Sequence, residues 1–159
     1  MLSISKDSDR RGGYLLRAEC DVPCSLDEVF AFFSDARQLE TLTPPWLNFQ
    51  VLTPAPIEMR TGLLLDYQLR IRGIPLRWQS NIALWDPPRQ FVDVQICGPY
   101  RWWHHTHRFA LVEGGTRVID EVSYAVPGGE LAHQFVVRHD LRSIFGYRLE
   151  KLRDIFGGV

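Results

Sequence analysis

His105 and His107 stand two residues apart in the segment Tyr-Arg-Trp-Trp-His-His-Thr-His-Arg-Phe-Ala-Leu-Val, residues 100–112. Alternate side chains of a strand share one face, so both imidazoles project with Trp103, Phe109 and Leu111 while His104 points away. Such a pair can bind a metal, move a proton or hydrogen-bond a ligand. A metal site would need a third ligand and supporting groups. The carboxylate on offer is Asp120, which interrupts the apolar series Val118, Val122 and Tyr124. With Trp103 and Phe109 flanking the pair, imidazoles bonded to Asp120, Tyr124 or a ligand are favoured over a metal site, and no metal or cofactor is implied. Asp120 and a histidine could also serve as an acid–base pair. The structural alternative for Asp120 is an ion pair with Arg138 or Arg142, because a buried carboxylate needs a partner, or simple exposure at the sheet rim.

Those arginines belong to a long helical pattern after Pro127-Gly128-Gly129. Leu131, Phe135, Leu141, Phe145, Leu149, Leu152 and Phe156 fall on one side, and Gly157-Gly158 ends it. At 100° per residue Gln134, Arg138 and Arg142 enter the same sector. Two readings stand side by side: a guanidinium there faces a cavity and clamps a ligand carboxylate or phosphate, or it snorkels to solvent at the mouth end of the helix.

The elements that must position these groups are mostly strands. Tyr14–Val22 alternates and ends at Pro23, and Ser25-Leu26-Asp27-Glu28 is a capping box that opens a helix with Val29, Phe30 and Phe33 inward. A second short helix is expected over residues 36–42, stopping before Pro44-Pro45, and residues 46–53 read as a strand or irregular apolar segment. Strands follow over residues 63–72, 76–85, 91–97, 101–112 and 116–126. Two-residue turns at Gly73-Ile74, Gly98-Pro99 and Gly114-Gly115 would pair Leu69 with Trp78, Val94 with Trp103, and Phe109 with Asp120. That meander has one inner face, carrying Tyr67, Trp78, Ser80, Val92, Val94, Ile96, Trp103, His105, His107, Phe109 and Tyr124. The economical packing lays the long helix across the concave side of the sheet, an α+β arrangement that tends to leave a cavity.

Bulk properties narrow the function. A chain of 159 residues forms a single domain, here 14–159, preceded by a loose tail over residues 1–13. A net charge of -1 argues against nucleic acid as a partner. No apolar run is long enough for a membrane span. Cys20, Cys24 and Cys97 are odd in number and lack metal-ligand spacing, which suits a reducing cytoplasm. A homodimer is left open.

Three segments carry a family resemblance: residues 22–35 (Val-Pro-Cys-Ser-Leu-Asp-Glu-Val-Phe-Ala-Phe-Phe-Ser-Asp), residues 82–91 (Ile-Ala-Leu-Trp-Asp-Pro-Pro-Arg-Gln-Phe), and Gly98-Pro99-Tyr100 through Phe109. With Ile144-Phe145-Gly146-Tyr147-Arg148 near the end of the long helix, the chain resembles the START-like, helix-grip (SRPBCC) superfamily. That group includes Bet v 1 relatives and polyketide cyclase/dehydrases. The resemblance implies a curved antiparallel sheet wrapped around a C-terminal helix, with a ligand cavity between them. It transfers no catalytic motif.

The expected function is binding of a hydrophobic small molecule, lipid-like, polyketide-like or aromatic and with an acidic group allowed, against Tyr67, Trp78, Ser80, Trp103, His105, His107, Phe109, Tyr124, Phe135 and Arg138. The alternative is a cofactor-free cyclase or dehydratase using His105, His107 and Asp120. An adaptor role is a third reading, with no partner surface to support it.

Overall fold

The computed structural model describes residues 1–157. Its eight strands form one antiparallel sheet in the order β1-β2-β8-β7-β6-β5-β4-β3. They are β1 (Leu2–Lys6), β2 (Tyr14–Val22), β3 (Gln50–Val51), β4 (Leu64–Ile71), β5 (Ile74–Asp86), β6 (Gln90–Cys97), β7 (Trp102–Val112) and β8 (Gly115–Ala125). Between β2 and β3 lie α1 (Leu26–Phe33), α2 (Gln38–Leu42) and a short 3-10 turn over Pro45–Leu47. After β8 come α3 (Gly129–Ala132), a π turn over His133–Val137 and α4 (Arg138–Phe156).

Residues 1–13 are not a loose tail. Leu2 and Ile4 alternate with Ser3 and Ser5, and β1 pairs with β2 from Leu2 opposite Ala18 to Lys6 opposite Tyr14. Without β1, strand β2 would present an unpaired edge. Asp7 then closes the connecting turn through Gly13 and accepts a hydrogen bond from Ser123 at 2.6 Å. At the other end α1 carries the expected capping box, with the Glu28 N–H donating to Ser25 Oγ and the Ser25 N–H donating to the Glu28 carboxylate.

The strand registers depart from the expected ones in an instructive way. The β4–β5 turn is Arg72-Gly73, with φ of 50° and 80°, so both central residues adopt the left-handed region of a type I′ hairpin. Tyr67 therefore faces Trp78, and Leu69 faces Leu76. Similarly, Phe109 pairs with Val118 and His107 with Asp120. Both slips are of two residues, which keeps every side chain on its expected face.

The β6–β7 pairing slips by one. Val94 lies opposite His104 and Asp93 opposite His105. The turn between them is longer than two residues, and the Gln95 side chain stands in for ladder bonds by donating to the Tyr100 carbonyl and accepting from its N–H. A one-residue slip inverts a strand. Phe91 and Asp93 consequently face inward, and Ile96, expected inside, is 56% exposed.

Helix α4 crosses the concave face and buries Leu141, Phe145, Arg148, Leu149 and Leu152. Register shifts in β5 at Gln79/Ser80 and Ile82/Leu84 mark bulges, which bend a strand and strengthen its twist. The apolar side of the expected helix face holds from Leu141 onward, with Arg142 exposed at its edge, and it fails before Leu141. One π turn inserts an extra residue and rotates the preceding segment by roughly 100°. Leu131 and Phe135 are accordingly 70% and 74% exposed. Gly157 caps α4 in the left-handed conformation, while Gly158 lies outside the described residues.

Candidate functional site

A cavity of about 150 Å³ lies between α4, α2 and the inner face of β4–β7. Its walls are apolar: Leu39 and Leu42 from α2, Phe49 just before β3, Leu69 from β4, and Leu141, Ile144 and Phe145 from α4. Of the expected contacts, Tyr67, Trp78, Ser80, Trp103, His105 and His107 line it. Trp78 donates its indole N–H to Ser80 at 3.1 Å and meets Trp103 edge-on.

Four expected contacts are elsewhere. Phe109 packs against Phe30 and Phe33 in the core beneath α1. Tyr124 is fully buried, and its hydroxyl bonds His133 Nε2 at 2.8 Å. Phe135 points to solvent because of the π turn. Arg138 borders a separate groove with Tyr14, His133 and Gln134, and Arg142 is exposed. Neither arginine reaches Asp120.

Asp120 is instead held by Arg148. The guanidinium donates from Nε to Oδ2 at 2.8 Å and from Nη2 to Oδ1 at 3.0 Å, with both side chains buried. Arg148 occupies the turn between Phe145 and Leu152 on the buried face of α4. That spacing was open to helical counting, since 148 follows 141 by seven and 145 by three. Asp93 could not be found that way, because strand alternation put Val92 and Val94 inside.

The histidines join the two carboxylates. His105 donates from Nε2 to Asp120 Oδ1 at 2.8 Å, and His107 donates from Nε2 to Asp93 Oδ2 at 2.6 Å. His107 Nδ1 lies 3.2 Å from Asp120 Oδ1 and 3.3 Å from Arg148 Nη2. The two imidazoles are stacked with centroids 3.7 Å apart, and Phe91 stacks on the far side of His107.

The charges fall into place from these contacts. Burial opposes the charged form of Asp120, yet the Arg148 charge and bonds from both histidines outweigh it and hold the carboxyl well below its usual range. Burial likewise opposes ionisation of Asp93, and its bond to His107 prevails. For His107 burial is overcome by Asp120 and Asp93, and its pKa rises. For His105 burial, reinforced by the His107 charge, wins and lowers it. Wherever the pH lies between the pKa values of the two histidines, one guanidinium and one imidazolium balance two carboxylates. Neutral His105, donating from Nε2, keeps a free lone pair on Nδ1. Burial and the Asp93 charge raise the Tyr67 phenol far above its ordinary value, so it remains a donor.

A second groove of about 560 Å³ adjoins the cavity and shares Leu47, Ile71, Tyr100 and Ile144 with it. Across it Arg72, at the β4–β5 turn, pairs with Asp140 at the start of α4 through bonds of 3.1 and 2.9 Å. Among the described residues no helix is long and apolar enough to cross a membrane.

Solved structures share this architecture at low identity. Protein Ms6760 from Mycobacterium smegmatis is 17% identical, with 98% of this chain and 97% of that one covered at a TM-score of 0.68. Among Bet v 1-like proteins, Ara h 8.0201 matches at 14% identity, 87% and 96% coverage and a TM-score of 0.60. Ginseng major latex-like protein 151 from Panax ginseng matches at 9% identity, 91% and 97% coverage and a TM-score of 0.67. These likenesses establish the helix-grip fold. No curated protein is significantly similar to the chain. The family model described as polyketide cyclase / dehydrase and lipid transport matches residues 22–153, and the chain belongs to that family.

Proposed function

We propose that this protein binds a hydrophobic small molecule in the cavity between the sheet and α4. The carrying observation is an apolar chamber that ends on a polar floor of Asp93, His105 and His107. Space limits the ligand: a void of roughly 150 Å³ holds about one benzene-sized ring. A larger lipid-like or polyketide-like molecule would place one ring inside and extend into the groove beside Ile71 and Tyr100. Arg148 spends its charge on Asp120, and Asp93 adds a carboxylate to the floor, so a neutral or phenolic ligand suits the metal-free cavity better than an acid. A ligand hydroxyl would donate to His105 Nδ1 or Asp93. A cytoplasmic location, with a homodimer as an association compatible with binding, belongs to the same reading.

Native mass spectrometry of protein purified from its own host tests it. A co-purifying molecule should be present in the wild type and absent from Ile144→Trp, whose indole would fill the chamber. A folded wild type that carries no molecule, and whose Trp78 and Trp103 fluorescence answers to no phenolic or polyketide-like compound, would refute it.

A second reading, a cyclase- or dehydratase-type enzyme, is favoured by one feature. His105 is oriented by Asp120 through Nε2 and presents Nδ1 as a base, with the Tyr67 phenol on the same cavity. Under that reading His105→Gln retains the ligand but stops its conversion, whereas a carrier releases the same molecule it took up.

A further inference from the structure

We propose that Asp93, His105 and His107 form a binding site for a divalent transition-metal ion, open on its cavity side to one oxygen ligand. The inference goes beyond ligand binding and stands whether or not the chamber takes an organic molecule.

Three donor atoms, one from each residue, lie within 4.8 Å of one another. Asp93 Oδ2 is 2.6 Å from His107 Nε2 and 3.7 Å from His105 Nδ1. An ion bonded at about 2.0–2.2 Å to two imidazoles and a carboxylate separates its donors by roughly 3.4 Å. The observed spacings bracket that value, and the rings are already tilted by 28°. Small rotations of the three side chains reach it.

The surroundings carry the inference further than the three donors could. A ligating histidine usually gives its other ring N–H to a carboxylate, which sets the tautomer and orients the ring. Here the distal nitrogens of both histidines, Nε2 of His105 and Nδ1 of His107, lie 2.8 and 3.2 Å from one oxygen of Asp120. Asp120 is fixed in turn by the two bonds from Arg148. The sequence pattern cast Asp120 as a third ligand; in the structure it stands behind the histidines, and Asp93 takes the ligand position. Two nitrogen donors and one oxygen donor suit Zn²⁺, Co²⁺ or Fe²⁺ and not Ca²⁺ or Mg²⁺. A bound divalent ion would also reverse the sign of the floor, so that a ligand carboxylate or enolate oxygen completes the coordination.

Calorimetric titration of chelator-treated protein with Zn²⁺, and with Co²⁺ followed by visible absorption, should show one ion per chain. Asp93→Asn and His107→Gln should each weaken binding by more than about 100-fold, and Asp120→Asn by about 10–100-fold. A variant with His104→Gln, His139→Gln and Cys97→Ser should bind as the wild type does, since those groups lie outside the site. X-ray absorption on the zinc-loaded wild type needs no variant and should read two imidazoles with oxygen. Absence of saturable binding, sulfur in the coordination shell, or affinity that survives Asp93→Asn would overturn the proposal.

Discussion

Asp120 on β8 and Arg148 on α4 meet inside the protein through two hydrogen bonds of 2.8 and 3.0 Å, and this contact joins helix to sheet directly behind the histidines. The pair is buried, and its carboxylate also receives His105. Its worth lies in orientation, because burying two charges offsets most of their attraction.

Removing one member leaves the other charge unpaired. Arg148→Met should destabilise the fold by about 3–5 kcal/mol, and adding Asp120→Leu to it should recover much of that loss. Denaturant unfolding of the single and double variants measures both steps. Full additivity would show that the two groups do not depend on each other.

Phe109 was expected to touch the ligand and instead supports α1. Phe109→Ala should cost about 3–5 kcal/mol in a melt or denaturant titration while leaving ligand affinity at the level of the wild type. Trp103→Ala, at the cavity wall, should weaken binding strongly. Equal effects on affinity would contradict the assignment.

The Arg72–Asp140 pair is exposed and spans the groove outside the cavity. Arg72→Ala should change stability by less than about 1 kcal/mol. Ligand exchange followed by tryptophan fluorescence should accelerate in both directions, with affinity little altered. Unchanged rates would place the access route elsewhere.

His133 carries a pH dependence outside the central cluster. It is buried against Tyr14, with ring centroids 3.4 Å apart, and bonds the Tyr124 hydroxyl. Lys6, Glu130 and Arg138 edge the same groove. Burial, aided by the Arg138 charge, lowers its pKa. The unfolded chain therefore binds the proton more readily, and this contribution to stability is complete above about pH 6.5 and lost as pH falls below it. Melting temperatures between pH 8 and 5 should fall less in His133→Gln than in the wild type. Parallel curves would exclude His133 as a source.

Local chemistry decided much of this molecule. The capping box at Ser25 and Glu28, the strand alternation that puts Trp103, His105, His107 and Phe109 on one face, and the apolar spacing from Leu141 to Leu152 all depend on neighbours within a few residues. Each reads the same in the sequence and in the fold. Even Arg148 lay within reach of helical periodicity, and β1 within reach of the Leu2–Ile4 alternation.

What the tertiary structure decided was phase. One extra residue in the π turn at His133–Val137 turned Phe135 away from the cavity, and a single-residue slip at the β6–β7 turn brought Asp93 in. Period 2 and period 3.6 specify which side chains travel together, but not which way a given set faces once the count shifts by one. That choice rests on contacts between segments far apart in the chain. The Gln95 bridge to Tyr100 and the Asp120–Arg148 pair are such contacts, and they set the order of His105, His107 and Asp93 around the cavity floor.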